Sequence, residues 1–173
     1  STDREPRSFP FPTNLLEAPM HKKIGCAALL TGILSAGLLA PATAHEQTSA
    51  EAAIDYRSAV MTVFRWNIKP MGAMMKGEIP WDGPVFARHA KDLAAAASVD
   101  LMSGFPEESE EGETDAKPEV WMDWEDFQAK FKDLQEQSAK LAEVAATGGR
   151  GVVGEPFKAT ADTCKACHKK FKE

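Results

Sequence analysis

The sequence is short of what a β-protein needs. Tyrosine occurs once, valine and isoleucine are sparse, and no segment alternates apolar with polar residues for long, so there is little to build a sheet from. No Ser-His-Asp set, phosphate loop or paired-carboxylate site is present, and no enzyme with turnover is expected. Basic residues are outnumbered, 20 Lys and Arg against 26 Asp and Glu, for a net charge of −6. That balance argues against nucleic acid or an anionic membrane as a partner. Cysteine is scarce as well: of three, two lie in a single five-residue motif. The 173 residues leave room for one ordinary domain with a real core.

The longest apolar run, Ile24 to Leu39, is interrupted by Gly25, Gly32 and Gly37 and falls short of the ~20 residues a spanning helix requires. It follows His21, Lys22 and Lys23 and ends at Pro41-Ala42-Thr43-Ala44. A basic start, an apolar core and an Ala-x-Ala ending are the three parts of a secretory signal peptide. Residues 20–44 are therefore read as a leader cleaved after Ala44, which places the mature chain, 45–173, in the periplasm without membrane insertion. Residues 1–19 hold Pro6, Pro10, Pro12 and Pro19 without any period and are read as a mis-assigned or dispensable extension, with Met20 the expected initiator.

The mature chain reads as four helices. The first covers about 46–76 on a seam of Ile54, Met61, Phe64, Ile68, Met71 and Met75, stepping by three and four; Pro70 is expected to kink it. Gly77-Glu78-Ile79-Pro80 breaks the chain, and the second helix covers about 84–102, with Phe86, Leu93, Ala97 and Leu101 inward. Residues 103–118 form a loop by composition, and their glutamate run is read as a solvated surface. The third helix covers about 119–146 on Trp124, Phe127, Phe131, Leu134, Leu141 and Ala145, ended by Gly148-Gly149-Arg150-Gly151. The fourth covers about 155–172, with Phe157, Ala161, Cys164, His168 and Phe171 on one stripe. Four helices with mostly short links predict an all-α, antiparallel up-down-up-down four-helix bundle.

The chemistry sits on that last stripe. Cys164-Lys165-Ala166-Cys167-His168 is the Cys-x-x-Cys-His signature of covalent haem attachment. On a helix the two thiols face one side, where they can bond the two vinyl groups of one porphyrin, and His168 lies on the same face as Cys164 to ligate the iron. A redox Cys-x-x-Cys would open a helix after a strand, whereas this one lies in the final turns of the chain. Zinc would need further ligands, and besides His168 only His45 and His89 remain, neither at metal-site spacing. One haem c per chain is the expected cofactor.

Only five residues follow His168, so a second axial ligand must come from upstream. Tyr56-Arg57-Ser58-Ala59-Val60-Met61, Met75-Lys76-Gly77-Glu78, Lys117-Pro118-Glu119-Val120-Trp121 and the terminal Cys-Lys-Ala-Cys-His together resemble the cytochrome c′ family over essentially the whole mature chain. The resemblance implies a homodimeric bundle with a five-coordinate, high-spin haem that binds nitric oxide and carbon monoxide but not dioxygen, in nitric oxide protection or handling; electron transport to a redox partner is the older suggestion for the family. It also implies Met61 as the apolar residue on the open side, Arg57 and Ser58 as contacts at the haem edge, and Asp115 and Glu119 as similar contacts. The family often has arginine four residues after the haem histidine; here that residue is Lys172.

The residues themselves speak to two of these positions. Arg57 falls on the first helix's seam, where an apolar residue is expected; a buried arginine needs an anionic partner, and a haem propionate is the candidate. Its long stem reaching solvent is the alternative. Met61 separates two functions. If its sulfur bonds the iron, the protein is a low-spin electron-transfer cytochrome. If it only fills space, the open face is dry and lacks a donor for dioxygen. His89 is read as a satisfied or interfacial histidine, and Trp66 and Trp81 as candidates for a dimer contact or the core.

Overall fold

The computed structural model describes residues 49–173. The leader, its cleavage point and the 1–19 extension lie outside the described residues.

The first helix, α1 (Ser49–Lys76), runs through Pro70 without a break. It stops at Gly77, whose φ of 78° is the left-handed conformation glycine adopts without penalty. The Glu78 and Gly77 N–H groups donate to Ala73 O and Met74 O (2.9 and 3.2 Å), a Schellman closure. The next helix, α2 (Gly83–Ala97), is started by Asp82, whose carboxylate accepts from Val85 N at 3.0 Å, and by Pro84, whose missing N–H costs nothing in a first turn. It buries the expected Phe86, Leu93 and Ala97.

Helix α2 ends short of the expected residue 102. The chain turns at Ser98 and re-forms as a 3-10 turn, Leu101–Gly104, in which Asp100 accepts from Ser103 N, while Tyr56 Oη donates to Asp100 O at 2.9 Å. A local aspartate cap competes here with continuation of the helix. A second 3-10 turn, Glu107–Ser109, follows, and the glutamates of 107–113 are exposed as expected.

The third predicted helix is two. A single turn, α3 (Glu119–Met122), precedes α4 (Trp124–Ala145), with the break at Asp123 (φ −117°, ψ 46°). Instead of capping α4, the Asp123 carboxylate meets Lys170 Nζ at 3.0 Å. The last helix, α5 (Arg150–Phe171), starts five residues before the expected Glu155. Gly149 caps it rather than ending its predecessor: Val152 N and Val153 N donate to Gly149 O, and the fully buried Val153 fixes the first turn in the core.

In the bundle, α2 packs between α1 and α4, and α4 packs against α5. Gln135 of α4 donates to Ala97 O at 2.9 Å, satisfying a carbonyl at the end of α2. Among the described residues no buried side-chain nitrogen or oxygen lacks a partner, and no helix is long and apolar enough to cross a membrane.

Candidate functional site

The first and last helices share only a small contact, at one end. There a Cβ on Gly72 would lie 3.6 Å from the Phe157 ring and one on Gly154 3.8 Å from Met75 Cε, while Arg150 Nη2 donates to Met75 O at 3.0 Å. These pairs set an antiparallel register. Both helices rise about 1.5 Å per residue, so the same register brings Met61 level with His168. Along α1 the stripe facing α5 is Met61, Ile68 and Met75; along α5 the stripe facing α1 is Gly154, Phe157, Ala161 and Cys164. Every side chain in both stripes is half-buried, whereas the faces turned to α2 and α4 are buried.

Cys164 and Cys167 stand one helical turn apart and pack against the core. Burial pushes the Cys164 thiol up, and burial together with the neighbouring Cys164 pushes the Cys167 thiol up to about 11. A redox dithiol depends on a lowered pKa, so these thiols are unsuited to that chemistry. No group of three or more metal-binding side chains forms among the described residues.

His168, expected inward, is exposed as a residue, although its ring is partly buried. That burial, and secondarily the Lys172 ammonium, lower its pKa. Both effects favour the neutral imidazole, the form that ligates a metal. In the core, Phe105 contacts Trp121 and Phe127, and Phe127 contacts Trp124 and Phe171, with ring centroids 4.8 to 6.1 Å apart. Cys164 lies on the α5 stripe, and Cys167 and His168 follow within the next turn, so two thiols and an imidazole stand beside two half-buried apolar stripes, a lining that suits a flat apolar group. The donor set is that of haem c.

Arg57 departs from the sequence reading. It is buried, at 4% exposure, but its partners are neutral. Nη1 donates to Gly104 O (2.9 Å) and Ser109 Oγ (2.7 Å), and Nη2 to Ser109 O and Thr114 Oγ1 (both 2.8 Å). The guanidinium also lies over the Phe105 and Trp121 rings. Four acceptors and two aromatic faces satisfy it without an anion, so its burial does not call for a propionate. Burial alone lowers its pKa. Lys172 reaches Asp115 at 2.7 Å, and this pairing holds the Asp115 carboxyl below its ordinary range. Ser58 and Glu119 are exposed.

Three residues around Arg57 escaped the sequence reading. Gly104 stands where a Cβ would come within 2.9 Å of the Tyr56 ring and 3.1 Å of Arg57 Cβ. Ser109 is fully buried, and Thr114 accepts from Ala116 N besides Arg57. Elsewhere, buried Asn67 donates to Val63 O and pairs with His89 Nδ1 (both 3.0 Å), which satisfies that histidine between α1 and α2. Trp81 stacks on Phe86 with centroids 4.9 Å apart, while Trp66 is 74% exposed.

The family model described as Cytochrome C′ matches residues 52–172. A cytochrome c′ from Halomonas halodenitrificans is 34% identical over 128 residues, covering 70% of this chain and 96% of the relative. The solved cytochrome c prime from Shewanella frigidimarina is similar with a TM-score of 0.69 and 34% identity, over 72% of this chain and 96% of that one. A nitric oxide complex of a variant cytochrome c prime from Alcaligenes xylosoxidans is similar with a TM-score of 0.64 and 27% identity, over 72% and 96% respectively.

Proposed function

The chain belongs to the cytochrome c′ family and binds that family's cofactor, haem c, and from that premise we propose that it is an exported, periplasmic nitric oxide-binding protein with a high-spin haem. Cys164 and Cys167 hold the haem covalently and His168 ligates its iron. When bound, haem would supply an iron able to take a diatomic gas. Met61 faces the gas-binding side and fills space without bonding. Ser58 and Glu119, both exposed, are assigned to the haem edge.

One observation carries the reading of an open, dry face. The polar groups α1 buries are Arg57 and Asn67, and both are committed elsewhere: Arg57 to the 104–114 segment, Asn67 to Val63 and His89. On the stripe facing α5 the residue level with His168 is the apolar Met61, and Ile68 follows two turns further along. Bound dioxygen gains from a hydrogen-bond donor that this face lacks, whereas nitric oxide and carbon monoxide need none. The nitric oxide complex of the Alcaligenes relative supports the same ligand class. We assign the protein a binding role in nitric oxide protection or handling, without substrate turnover.

The test is the absorption and paramagnetic resonance spectrum of the ferric protein at neutral pH. A high-spin signal is expected. A low-spin signal lost in Met61→Ala would make Met61 an axial ligand and the protein an electron-transfer cytochrome.

We further propose a homodimer through the outer face of α1. Tyr56, Val63 and Trp66 are exposed large apolar side chains on that face, spaced by seven and three residues. Exposed tryptophan is the residue type that most often anchors an interface, at about 2–4 kcal/mol. Trp66→Asp should therefore weaken self-association roughly hundredfold in sedimentation equilibrium, with the haem spectrum unchanged; an unaltered dimer would exclude this face.

A further inference from the structure

The slot between α1 and α5 is closed differently at its two ends. At one end the helices touch directly, through Gly72 and Phe157, Met75 and Gly154, and Arg150 and Met75 O. At the haem end α1 packs instead on the turns of residues 101–109, and residues 104–117 run from one helix to the other.

This strap is fastened on both sides. On α1, Arg57 holds Gly104 O, both oxygens of Ser109, and Thr114 Oγ1. On α5, Lys172 Nζ meets Asp115 Oδ2 at 2.7 Å, Lys117 N donates to Phe171 O, and Glu173 N donates to Asp115 O (both 3.0 Å), with Ala116 and Lys172 forming an antiparallel bridge. The two fastenings fall on consecutive residues, Thr114 and Asp115. A pull on α1 is thus delivered to α5 across a single peptide bond, which does not stretch.

We propose that Ser109, Thr114, Asp115 and Lys172 are positioning residues that set the spacing of α1 from α5 at the haem end, and through it how closely Met61 crowds the gas-binding face. This rests on the open-face reading above. The fastenings differ in strength. The Arg57 side is buried and its charge-assisted hydrogen bonds are shielded from salt. The Asp115–Lys172 pair is largely exposed and weak alone, so the two backbone hydrogen bonds share its load.

The test uses the haem-loaded protein and four variants: Thr114→Val and Ser109→Ala on the α1 side, Lys172→Met on the α5 side, and Thr114→Val with Lys172→Met. Carbon monoxide association with the ferrous protein and amide exchange across residues 115–117 and 171–173 are measured. Each single variant should bind carbon monoxide three- to tenfold faster. Thr114→Val should also raise exchange at Lys117 and Glu173 at least tenfold, although neither amide contacts Thr114. The double variant should match the faster single one, because opening either fastening frees the same spacing. Association within twofold of the parent in all four variants would overturn the positioning role even if thermal stability fell. A low-spin parent defeats the open-face reading instead; exchange then decides the clasp alone, and unchanged protection at Lys117 and Glu173 in Thr114→Val overturns it.

Discussion

Met61→Ala should speed carbon monoxide binding to the ferrous protein by roughly tenfold to a hundredfold. The side chain is half-buried on the stripe facing α5, level with His168, and its removal deletes three heavy atoms from the space a gas ligand enters. Relief of steric crowding of this kind is worth about 1–3 kcal/mol, and each ~1.4 kcal/mol off a barrier is tenfold in rate. Dissociation should change less, since no bond to the ligand is removed. Met61→Leu keeps the bulk and discards the sulfur, so it should leave both the ferric spectrum and the rate near the parent's. Stopped-flow mixing measures the rates. If Met61→Leu alters the spin state as much as Met61→Ala does, the sulfur is a ligand and the steric account is wrong.

The bundle was legible because its helices carry strong periodic seams. On α2 and α4 most of the expected inward residues are buried: Phe86, Leu93 and Ala97 on one, Phe127, Phe131, Leu134, Leu141 and Ala145 on the other, while Trp124 is half-buried and Leu101 is buried from the 3-10 turn after α2. The ends were less legible, for identifiable reasons. Gly149, Gly151 and Gly154 lie before the expected start of the last helix, yet the burial of Val153 outweighs the poor propensity of the glycines within α5. At the break, Asp123 pairs with Lys170, forty-seven positions away in sequence, a contact that no local pattern reveals.

The site divides in the same manner. Cys164, Cys167 and His168 announce themselves by spacing, since their chemistry is confined to one helix. The half-burial of Met61, Ile68, Phe157 and Ala161 could not be read, because periodicity reports which face is apolar and not what covers it. Arg57 showed as an anomaly on an apolar seam, and the anomaly was real. Its partners were illegible: Gly104, Ser109 and Thr114 lie 47 to 57 positions away in a segment whose composition reads as solvated loop. Asp115 and Lys172 pair with one another across 57 positions, a partnership that no local pattern reveals.

Arg57→Met should be the most damaging single change for stability. Methionine matches much of the arginine stem and keeps contact with Phe105 and Trp121, so the loss isolates the guanidinium. Four acceptors lose their donor: Gly104 O, Ser109 Oγ, Ser109 O and Thr114 Oγ1. The Ser109 hydroxyl still donates to Pro106 O at 2.8 Å, and the two hydroxyls can reorient, so not every acceptor loses its full ~1–3 kcal/mol. A total of about 3–5 kcal/mol is expected, a large share of the ~5–15 kcal/mol that holds a domain folded, lowering Tm of the haem-loaded protein by roughly 10–20 °C. Arg57→Lys separates the two roles open to this residue. An ammonium restores the charge but not a planar fork spanning acceptors on two sides. If Arg57 anchors the strap, lysine should recover less than half of the lost stability, and the deficit should be insensitive to salt. If it serves chiefly to pair with an anion at the haem edge, lysine should recover most of it and added salt should erase the difference. Thermal melts of the three proteins at low and high ionic strength distinguish these outcomes.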